Sequence, residues 1–285
     1  MHPTLIDSGP LGITLPSYYV LLATAVVVCL WIGPQWAEAL EGVDRRKTRR
    51  ALLLLGLFAF GGGRLHYVVN QWHLFADRPF AALEPWSGSL HAGGAITSVA
   101  LAAPVVFRRC ALPIGKVADG IAPAVGIGIA IARFGCFLHG CCFGMPCQWP
   151  WCVSFPRVSY IYTYHVSLGL LSEGATRSAA VHPLQLYFAA AGLGITAIAL
   201  AVRLRKAYDG RAALVALLVY SVSAAVLEFF RADYYPRVYW GPLPQLEWVA
   251  LAMTLAAAAA LGAAELVHRH AWSVSRRTPT LQAPH

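Results

Sequence analysis

Long runs of apolar residues, each about 20 residues long and nearly free of charge, dominate this chain of 285 residues. A helix of this length spans the hydrocarbon core of a bilayer and satisfies its own backbone hydrogen bonds there. Only 12% of the residues are charged, about half the share that is typical of a soluble domain. The sequence therefore predicts an all-α integral membrane protein with seven transmembrane helices, at 17–38, 51–69, 90–107, 117–138, 183–203, 212–231 and 245–267.

Basic residues are distributed unevenly between the loops that join these runs. Most of the 22 Lys and Arg residues lie in the loops at 39–50, 108–116 and 203–211 and in the tail after residue 268. By the positive-inside rule, these loops are cytoplasmic, the N-terminus lies outside and the C-terminus is cytoplasmic. Because the basic residues sort by loop, membrane topology explains the net charge of +9, and a nucleic-acid partner is not indicated. We expect a single polytopic transmembrane domain at 1–271, without a cleavable signal peptide, and a disordered cytoplasmic tail at 272–285.

The predicted topology brings the polar residues of the spans to one depth, near the outer face. An arginine inside the bilayer costs about 2.5–3.5 kcal/mol on insertion scales, so it usually faces a cavity or a partner. Arg133 is therefore interpreted as facing a cavity, whereas Arg231 either snorkels or pairs with Glu228. Arginine binds phosphate and histidine transfers protons near neutral pH, which favours an anionic phospholipid as ligand and proton transfer as chemistry.

Four segments, "SLHAGGAI", "VADGIAPAVGIGIAIARFGCF", "HPLQLY" and "YSVSAAVLEFFR", occur in a familiar order and spacing. Over residues 15–260 the chain resembles the bacterial prolipoprotein diacylglyceryl transferases. The resemblance implies a multi-pass enzyme of the bacterial cytoplasmic (inner) membrane, which moves diacylglyceryl from phosphatidylglycerol to a cysteine thiol. The implied partners are the anionic phospholipid, the signal peptide of a lipoprotein precursor and the membrane, and no cofactor is implied.

The resemblance, together with the predicted outer position of Arg64 and His139, gives the expected residues of the site. The expected catalytic residues are His91 as the base, Arg133 as a phosphate ligand, and Tyr220. No metal ligand is assigned. The expected substrate-binding residues are Tyr18, Arg64, Gly93, Gly94, Gly135, His139, Gly144, His182, Glu228 and Arg231.

The stretch "ARFGCFLHGCCFG" departs from the family signature. Cys136, His139 and Cys141 stand where the signature has Asn, Asn and Glu. Ala224 replaces an arginine that is expected to contact the lipid phosphate, and Phe188 replaces a glutamate. These departures leave open a paralogue with another acceptor or with cysteine-based metal or redox chemistry, and a non-catalytic lipid-binding protein.

The cysteines near this stretch have four open interpretations. A disulfide among Cys141, Cys142, Cys147 and Cys152 would pin the long loop before "HPLQLY". Cys136 and His139 share a helix face and would bind a metal ion together with one of the later cysteines. A cysteine beside Arg133 would be a nucleophile or redox group, and buried packing is the fourth interpretation.

Overall fold

The computed structural model describes residues 4–7, 14–84, 90–172, 174–233 and 239–277. The described chain is mostly helical, which confirms the predicted class. Two small antiparallel strand pairs are added, β1–β2 before α1 and β3–β4 before α8. The helices are α1 Ser17–Glu41, α2 Arg45–Asn70, α3 Ala92–Arg109, α4 Ile114–His139, α5 Tyr160–Ser167, α6 Leu184–Arg203, α7 Arg211–Glu228 and α8 Gln245–Arg277, with 3-10 helices at Trp72–Leu74 and Pro79–Leu83. The strands are β1 Thr4–Asp7, β2 Thr14–Pro16, β3 Tyr239–Trp240 and β4 Leu243–Pro244.

Six of the described helices are long and apolar enough to cross a membrane, namely α1, α2, α4, α6, α7 and α8. The remaining predicted span, 90–107, coincides with α3, whose 18 residues include glycines, hydroxyl side chains and two terminal arginines. Over its 18 residues α3 is therefore less apolar than the most apolar 18-residue stretch of each of these six helices. An integral membrane protein is therefore supported, whereas the seventh span and the orientation of the termini stay predictions.

The last helix is longer than the apolar run that predicted it. α8 continues to Arg277, past the expected domain boundary at residue 271. The apolar pattern marks the part of a helix that suits the bilayer, and the first helix-breaking residue after it is Pro279. Residues 278–285 lie outside the described part, so the single domain and the disordered tail stay predictions.

The chain forms two compact units, of which the smaller comprises Leu30–Gly120. Within it α2 and α3 pack closely through small residues. A Cβ atom on Gly62 would collide with Ser98, and one on Gly94 would collide with the carbonyl oxygen of Gly62. The Ser98 hydroxyl also donates to the carbonyl of Phe58 at 2.7 Å. Small residues suit membrane helices because close van der Waals packing, not exclusion from water, holds such helices together.

The larger unit comprises Met1–Cys29 and Ile121–His285. In this unit α4 and α6 approach each other at two glycines. A Cβ atom on Gly126 would stand 2.6 Å from the Gly192 carbonyl oxygen, and one on Gly192 would stand 2.7 Å from that of Gly126. The Thr196 hydroxyl donates across the same interface to the Pro123 carbonyl at 2.9 Å. α7 packs on α6, and α8 packs on α7.

Residues 140–183, which we name the α4–α6 connection, have their own small apolar core. Phe143, Phe155, Ile161 and Val181 are fully buried there. Val181 pairs with Val153 through two backbone hydrogen bonds, and a disulfide joins Cys147 to Cys152. The predicted disulfide among the four cysteines is thus confirmed for this pair.

Candidate functional site

The end of α4 brings three cysteines together. Gly140 follows the helix with φ +82°, a left-handed conformation that glycine adopts without strain. Gly140 and Cys141 both donate backbone hydrogen bonds to the Cys136 carbonyl, at 2.8 and 3.2 Å, so the chain folds back over the last helical turn. As a result, the sulfur atoms of Cys136, Cys141 and Cys142 lie within 4.8 Å of one another. We name these three residues the thiol cluster.

The turn that forms the thiol cluster is held from α6. Cys142 has φ +57°, which costs a residue with a side chain roughly 1–2 kcal/mol. Such strain persists where the surrounding structure fixes the backbone. The buried side chain of Gln185 donates its Nε2 hydrogen to the Cys141 carbonyl at 2.6 Å, and Gly144 N–H donates to the His182 carbonyl at 3.1 Å.

Arg231, which follows α7, joins the thiol cluster to two carboxylates. Its Nε lies 2.6 Å from Asp233 Oδ1, and its Nη1 lies 3.4 Å from Glu228 Oε2. Its Nη2 donates to the Cys142 sulfur at 3.5 Å. All of these side chains are mostly buried. The predicted pairing with Glu228 is confirmed, and the structure adds Asp233 and Cys142 as partners.

Backbone pairing sets the position of Arg231 relative to the thiol cluster. Gly144 and Arg231 form an antiparallel bridge, and Met145 N–H donates to the Phe230 carbonyl at 2.6 Å. A Cβ atom on Gly144 would stand 2.8 Å from His182 Cβ and 3.0 Å from the Phe230 carbonyl oxygen. The strand-like contact therefore needs glycine at residue 144.

The close contacts within the thiol cluster change the pKa values of Cys141 and Cys142, which follow α4. Hydrogen bonds from the thiols of Cys136 and Cys141, followed by the positive charge of Arg231, lower the pKa of Cys142 well below its ordinary value. The pKa of Cys141 is raised, because its hydrogen bonds favour the protonated thiol and burial disfavours the thiolate. Burial likewise raises the pKa of Asp233, and Arg231 opposes that shift. The Cys142 thiol is therefore more acidic than the Cys141 thiol.

Arg133 lies one turn before the cluster on α4 and has a different environment. Its guanidinium carbon is 4.3 Å from the centre of the Phe188 ring on α6, in a cation–π contact. Phe188 is buried, whereas Arg133 is half-buried. Within the described part of the chain, the Arg133 N–H groups donate no hydrogen bond. A guanidinium held by its face leaves its donor edge available to an anion.

Aromatic rings surround His139 at the end of α4. The Tyr18 and Tyr160 rings lie 6.2 and 6.4 Å from the His139 ring, centre to centre. The His139 Nδ1 atom is buried and has no hydrogen-bond partner among the described residues. A Cβ atom on Gly135 would stand 2.9 Å from Leu21 Cβ, so this glycine permits the close approach of α1. His139 is thus packed between rings and is not part of the thiol cluster, in contrast to the ligand set considered from the sequence.

The smaller unit contains a pair of stacked histidines. The His66 and His91 rings lie 5.0 Å apart with an angle of 20° between their planes. His91 precedes α3, is exposed, and donates its backbone N–H to the Gly63 carbonyl at 3.0 Å. Gly93 is exposed, whereas Gly94 is buried in the helix interface. The expected base is therefore placed by the tight packing between α2 and α3.

Arg64 makes contacts that the sequence analysis did not anticipate. Its guanidinium donates hydrogen bonds of 2.9 Å to the carbonyls of Ala81, Ala82 and Glu84, at the end of the second 3-10 helix. These bonds satisfy carbonyl groups that a helix end leaves without an internal partner. Arg64 thus fixes the end of the second 3-10 helix to α2, and substrate binding by this residue stays a prediction.

Comparison with known proteins identifies the family. The profile of the prolipoprotein diacylglyceryl transferases matches residues 3–263. The chain belongs to the prolipoprotein diacylglyceryl transferase family. Membership confirms the resemblance that the sequence motifs indicated, and with the six candidate spans it indicates a multi-pass bacterial membrane protein.

Similar proteins of this family carry the name phosphatidylglycerol–prolipoprotein diacylglyceryl transferase. The protein of Parasynechococcus marenigrum (strain WH8102) is 34% identical over 154 residues, 54% of each chain. That of Synechococcus elongatus is 32% identical over 154 residues, 54% of this chain and 52% of its own. That of Mycobacterium tuberculosis (strain ATCC 25177 / H37Ra) is 33% identical over 161 residues, 53% of this chain and 34% of its own. The matched region thus spans about half the length of the relatives or less.

The expected site residues of this family member do not all meet in one described cluster. Within the larger unit, Gly144, His182, Glu228 and Arg231 lie around the thiol cluster. Tyr220 packs instead against apolar residues of α4, α6 and α7, including Ala122 and Ile195. A direct contact between Tyr220 and the thiol cluster is absent from the described residues. Its catalytic role stays a prediction.

Sequence reasoning missed two residues that hold the thiol cluster. Gln185 lies within the quoted segment "HPLQLY" but was not assigned a role, and Asp233 lies in the polar stretch after α7. Complete burial of the Gln185 amide against the Cys141 carbonyl reveals its function. A glutamine among apolar residues at a helix start was the available signal.

Proposed function

We propose that this protein is a phosphatidylglycerol:prolipoprotein diacylglyceryl transferase of the bacterial cytoplasmic (inner) membrane. We propose seven spans, with the N-terminus outside and the C-terminus in the cytoplasm. Family membership supports this proposal, as do the names of similar proteins. The donor would be an anionic glycerophospholipid, and the acceptor would be the cysteine thiol of a lipoprotein precursor, presented by its signal peptide.

The observation that carries the proposal is the environment of the Arg133 guanidinium. Its guanidinium is half-buried, stacked on Phe188, and donates no hydrogen bond to the described residues. An arginine within a membrane helix usually faces a cavity or a polar partner. The phosphate of the donor lipid suits the planar donor edge of a guanidinium, which binds two oxygens at once.

In the proposed reaction, the acceptor sulfur attacks the glycerol carbon that carries the phosphate ester. The S–H proton passes to His91 as the base, a new S–C bond forms, and the C–O bond to phosphate breaks. Glycerol phosphate leaves with the bonding electron pair, and Arg133 stabilises its developing charge. The net result is a thioether and a phosphate monoester.

We assign supporting roles to the other expected residues. Tyr18, Gly135 and His139 would border the lipid at the α1–α4 contact, and Gly144 and His182 would fix the Arg231 backbone. Arg231 already binds Glu228 and Asp233, so phosphate must compete with two carboxylates there. Arg133 is therefore the primary phosphate ligand in this proposal.

The test is complementation of a bacterium that is depleted of its own diacylglyceryl transferase. The wild-type chain should add the mass of a diacylglyceryl group to a lipoprotein precursor. Arg133→Ala should lower the rate by about 100- to 1,000-fold, the effect of removing one group that stabilises developing charge. Arg177→Ala is the matched control, because Arg177 is an exposed arginine of the α4–α6 connection. Full transfer by Arg133→Ala would contradict the assignment.

A second candidate is a paralogue with another acceptor or with cysteine-based chemistry. The thiol cluster favours it, because Cys136 and Cys141 occupy signature positions that carry other residue types in the resembled family. Lack of precursor modification by a folded, membrane-inserted wild-type chain would contradict the transferase and favour this candidate.

A further inference from the structure

The strongest cluster of metal-binding side chains in the described structure is the thiol cluster itself. Three sulfur atoms lie within 4.8 Å of one another, and Cys136 is only 5% exposed. A metal ion at about 2.3 Å from each sulfur requires sulfur atoms about 3.8 Å apart in a tetrahedral site.

We propose that Cys136, Cys141 and Cys142 bind one thiophilic d10 metal ion, of the class of Zn²⁺ or Cu⁺. Thiolate sulfur is soft and selects these ions over Mg²⁺ or Ca²⁺, which prefer oxygen. Three protein ligands leave a fourth tetrahedral position for water or another ligand. Binding converts each protonated thiol to a thiolate, so protons are released as the metal–sulfur bonds form. This site is independent of the transferase proposal.

The protein holds the three ligands in place before any metal binds. The left-handed backbone at Gly140 and Cys142 turns the last two sulfurs toward the first. The Gln185 amide fixes the Cys141 carbonyl at 2.6 Å. A strained backbone that is held from a neighbouring helix is typical of a functional site and is unnecessary for packing small thiols in a core.

The Arg231 guanidinium lies beside the sulfurs of the thiol cluster. Three thiolates and Zn²⁺ carry a net charge of −1. The Arg231 guanidinium, whose Nη2 lies 3.5 Å from the Cys142 sulfur, attracts that charge, although two carboxylates share the same guanidinium. Glu228 accepts from Nη1 of that guanidinium, and Asp233 accepts from Nε and from the same Nη2 that donates to Cys142. Hydrogen bonds from residues that contact the ligands orient those ligands in metal sites.

Oxidation state distinguishes the three cysteines of the thiol cluster from the two cysteines that follow them in the chain. Cys147 and Cys152 form a disulfide, whereas Cys136, Cys141 and Cys142 are free thiols. All three reduced thiols serve as ligands when a metal binds, whereas a disulfide would pair two of them and leave the third as a free thiol.

The test uses the purified, reduced, metal-free full chain in detergent. Zn²⁺ in equilibrium dialysis should bind at one ion per chain, and Cd²⁺ should produce thiolate-to-metal absorption in the ultraviolet. Cys136→Ser, Cys141→Ser and Cys142→Ser should each abolish that absorption. Cys29→Ser and Cys110→Ser are the matched controls, because they remove free cysteines outside the cluster. Arg231→Gln should weaken binding by about 10- to 100-fold, because it removes the hydrogen bond to the Cys142 sulfur.

A second measurement needs no substitution and avoids variants that fail to fold. Saturating Zn²⁺ should protect Cys136, Cys141 and Cys142 of the wild-type chain from alkylation while Cys110 remains reactive, as read by peptide mass spectrometry. Less than one ion per chain, unchanged binding by Cys142→Ser, or a disulfide within the trio of the native protein would each overturn the proposal.

Discussion

The guanidinium of Arg231 lies 3.5 Å from the sulfur of Cys142, although 89 positions separate the two residues along the chain. The bridge between Gly144 and Arg231 creates this contact, because it aligns the end of α7 with the residues that follow the thiol cluster. A cation beside a buried thiol favours the thiolate, which is both the nucleophilic and the metal-binding form of cysteine.

The reactivity of Cys142 should depend little on pH. Its pKa is lowered, so Cys142 stays a thiolate as the pH falls from about 8 to 5, whereas an ordinary thiol loses roughly tenfold in thiolate per pH unit. Mass spectrometry of iodoacetamide labelling in the metal-free protein measures this. Arg231→Gln should restore part of the ordinary pH dependence, and Arg177→Gln should not. A tenfold fall per unit in the wild type would contradict the prediction.

Gly144→Ala should destabilise the protein, because the new Cβ atom would stand within 3.0 Å of His182 and Phe230 atoms. Overpacking of this kind costs about 1–3 kcal/mol. Gly194→Ala is the control, since open space surrounds Gly194 on α6, and alanine is the better helix former. Thermal unfolding in detergent should show a lower midpoint for the first variant only. Equal midpoints for the two variants would contradict the tight contact at Gly144.

Replacement of His91 should test the stacked histidines of the smaller unit. His91→Ala should lower diacylglyceryl transfer by about 100- to 10,000-fold, the usual contribution of a general base. His66→Ala should cause a smaller loss, because it removes the ring that stacks on His91 at 5.0 Å, and His66→Phe should recover part of it. His73→Ala is the control, because His73 is exposed on a 3-10 helix. Wild-type rates for His91→Ala would exclude the role of base.

Removal of the Cys147–Cys152 disulfide should lower stability and leave transfer intact. The bridge closes a short loop, so the chain-entropy model gives a loss of about 2 kcal/mol. The double variant Cys147→Ser with Cys152→Ser should therefore unfold at a lower temperature, with a wild-type rate of precursor modification. Cys110→Ser serves as the control for removing a thiol without a bridge. Loss of transfer in a folded double variant would show that the bridge has a role in the reaction.

The helices were predictable because the bilayer leaves few alternatives. The predicted runs 17–38 and 183–203 correspond to α1 at Ser17–Glu41 and α6 at Leu184–Arg203. A span must satisfy its backbone hydrogen bonds internally, so an apolar run of sufficient length predicts a helix. The end of α8 was not predictable in this way, because hydropathy reports the environment of a helix and not its termination.

The partners of the cysteines were not predictable. The spacing of Cys141, Cys142, Cys147 and Cys152 permits several disulfides, and a shared helix face favoured His139 as a neighbour of Cys136. The structure pairs Cys147 with Cys152 and packs His139 between tyrosine rings. These outcomes depend on where the chain reverses after α4.

The sequence by itself determined the membrane class, the positions of the helices, the family and the residue types near the end of α4. Hydropathy, length and ordered motifs carry this information because each acts within a short segment of chain. Only the tertiary structure decided that three thiols converge and that Arg231 faces Cys142. That arrangement depends on the left-handed backbone at Gly140 and Cys142 and on contacts between α4, α6 and α7, which bring together residues that no local pattern relates.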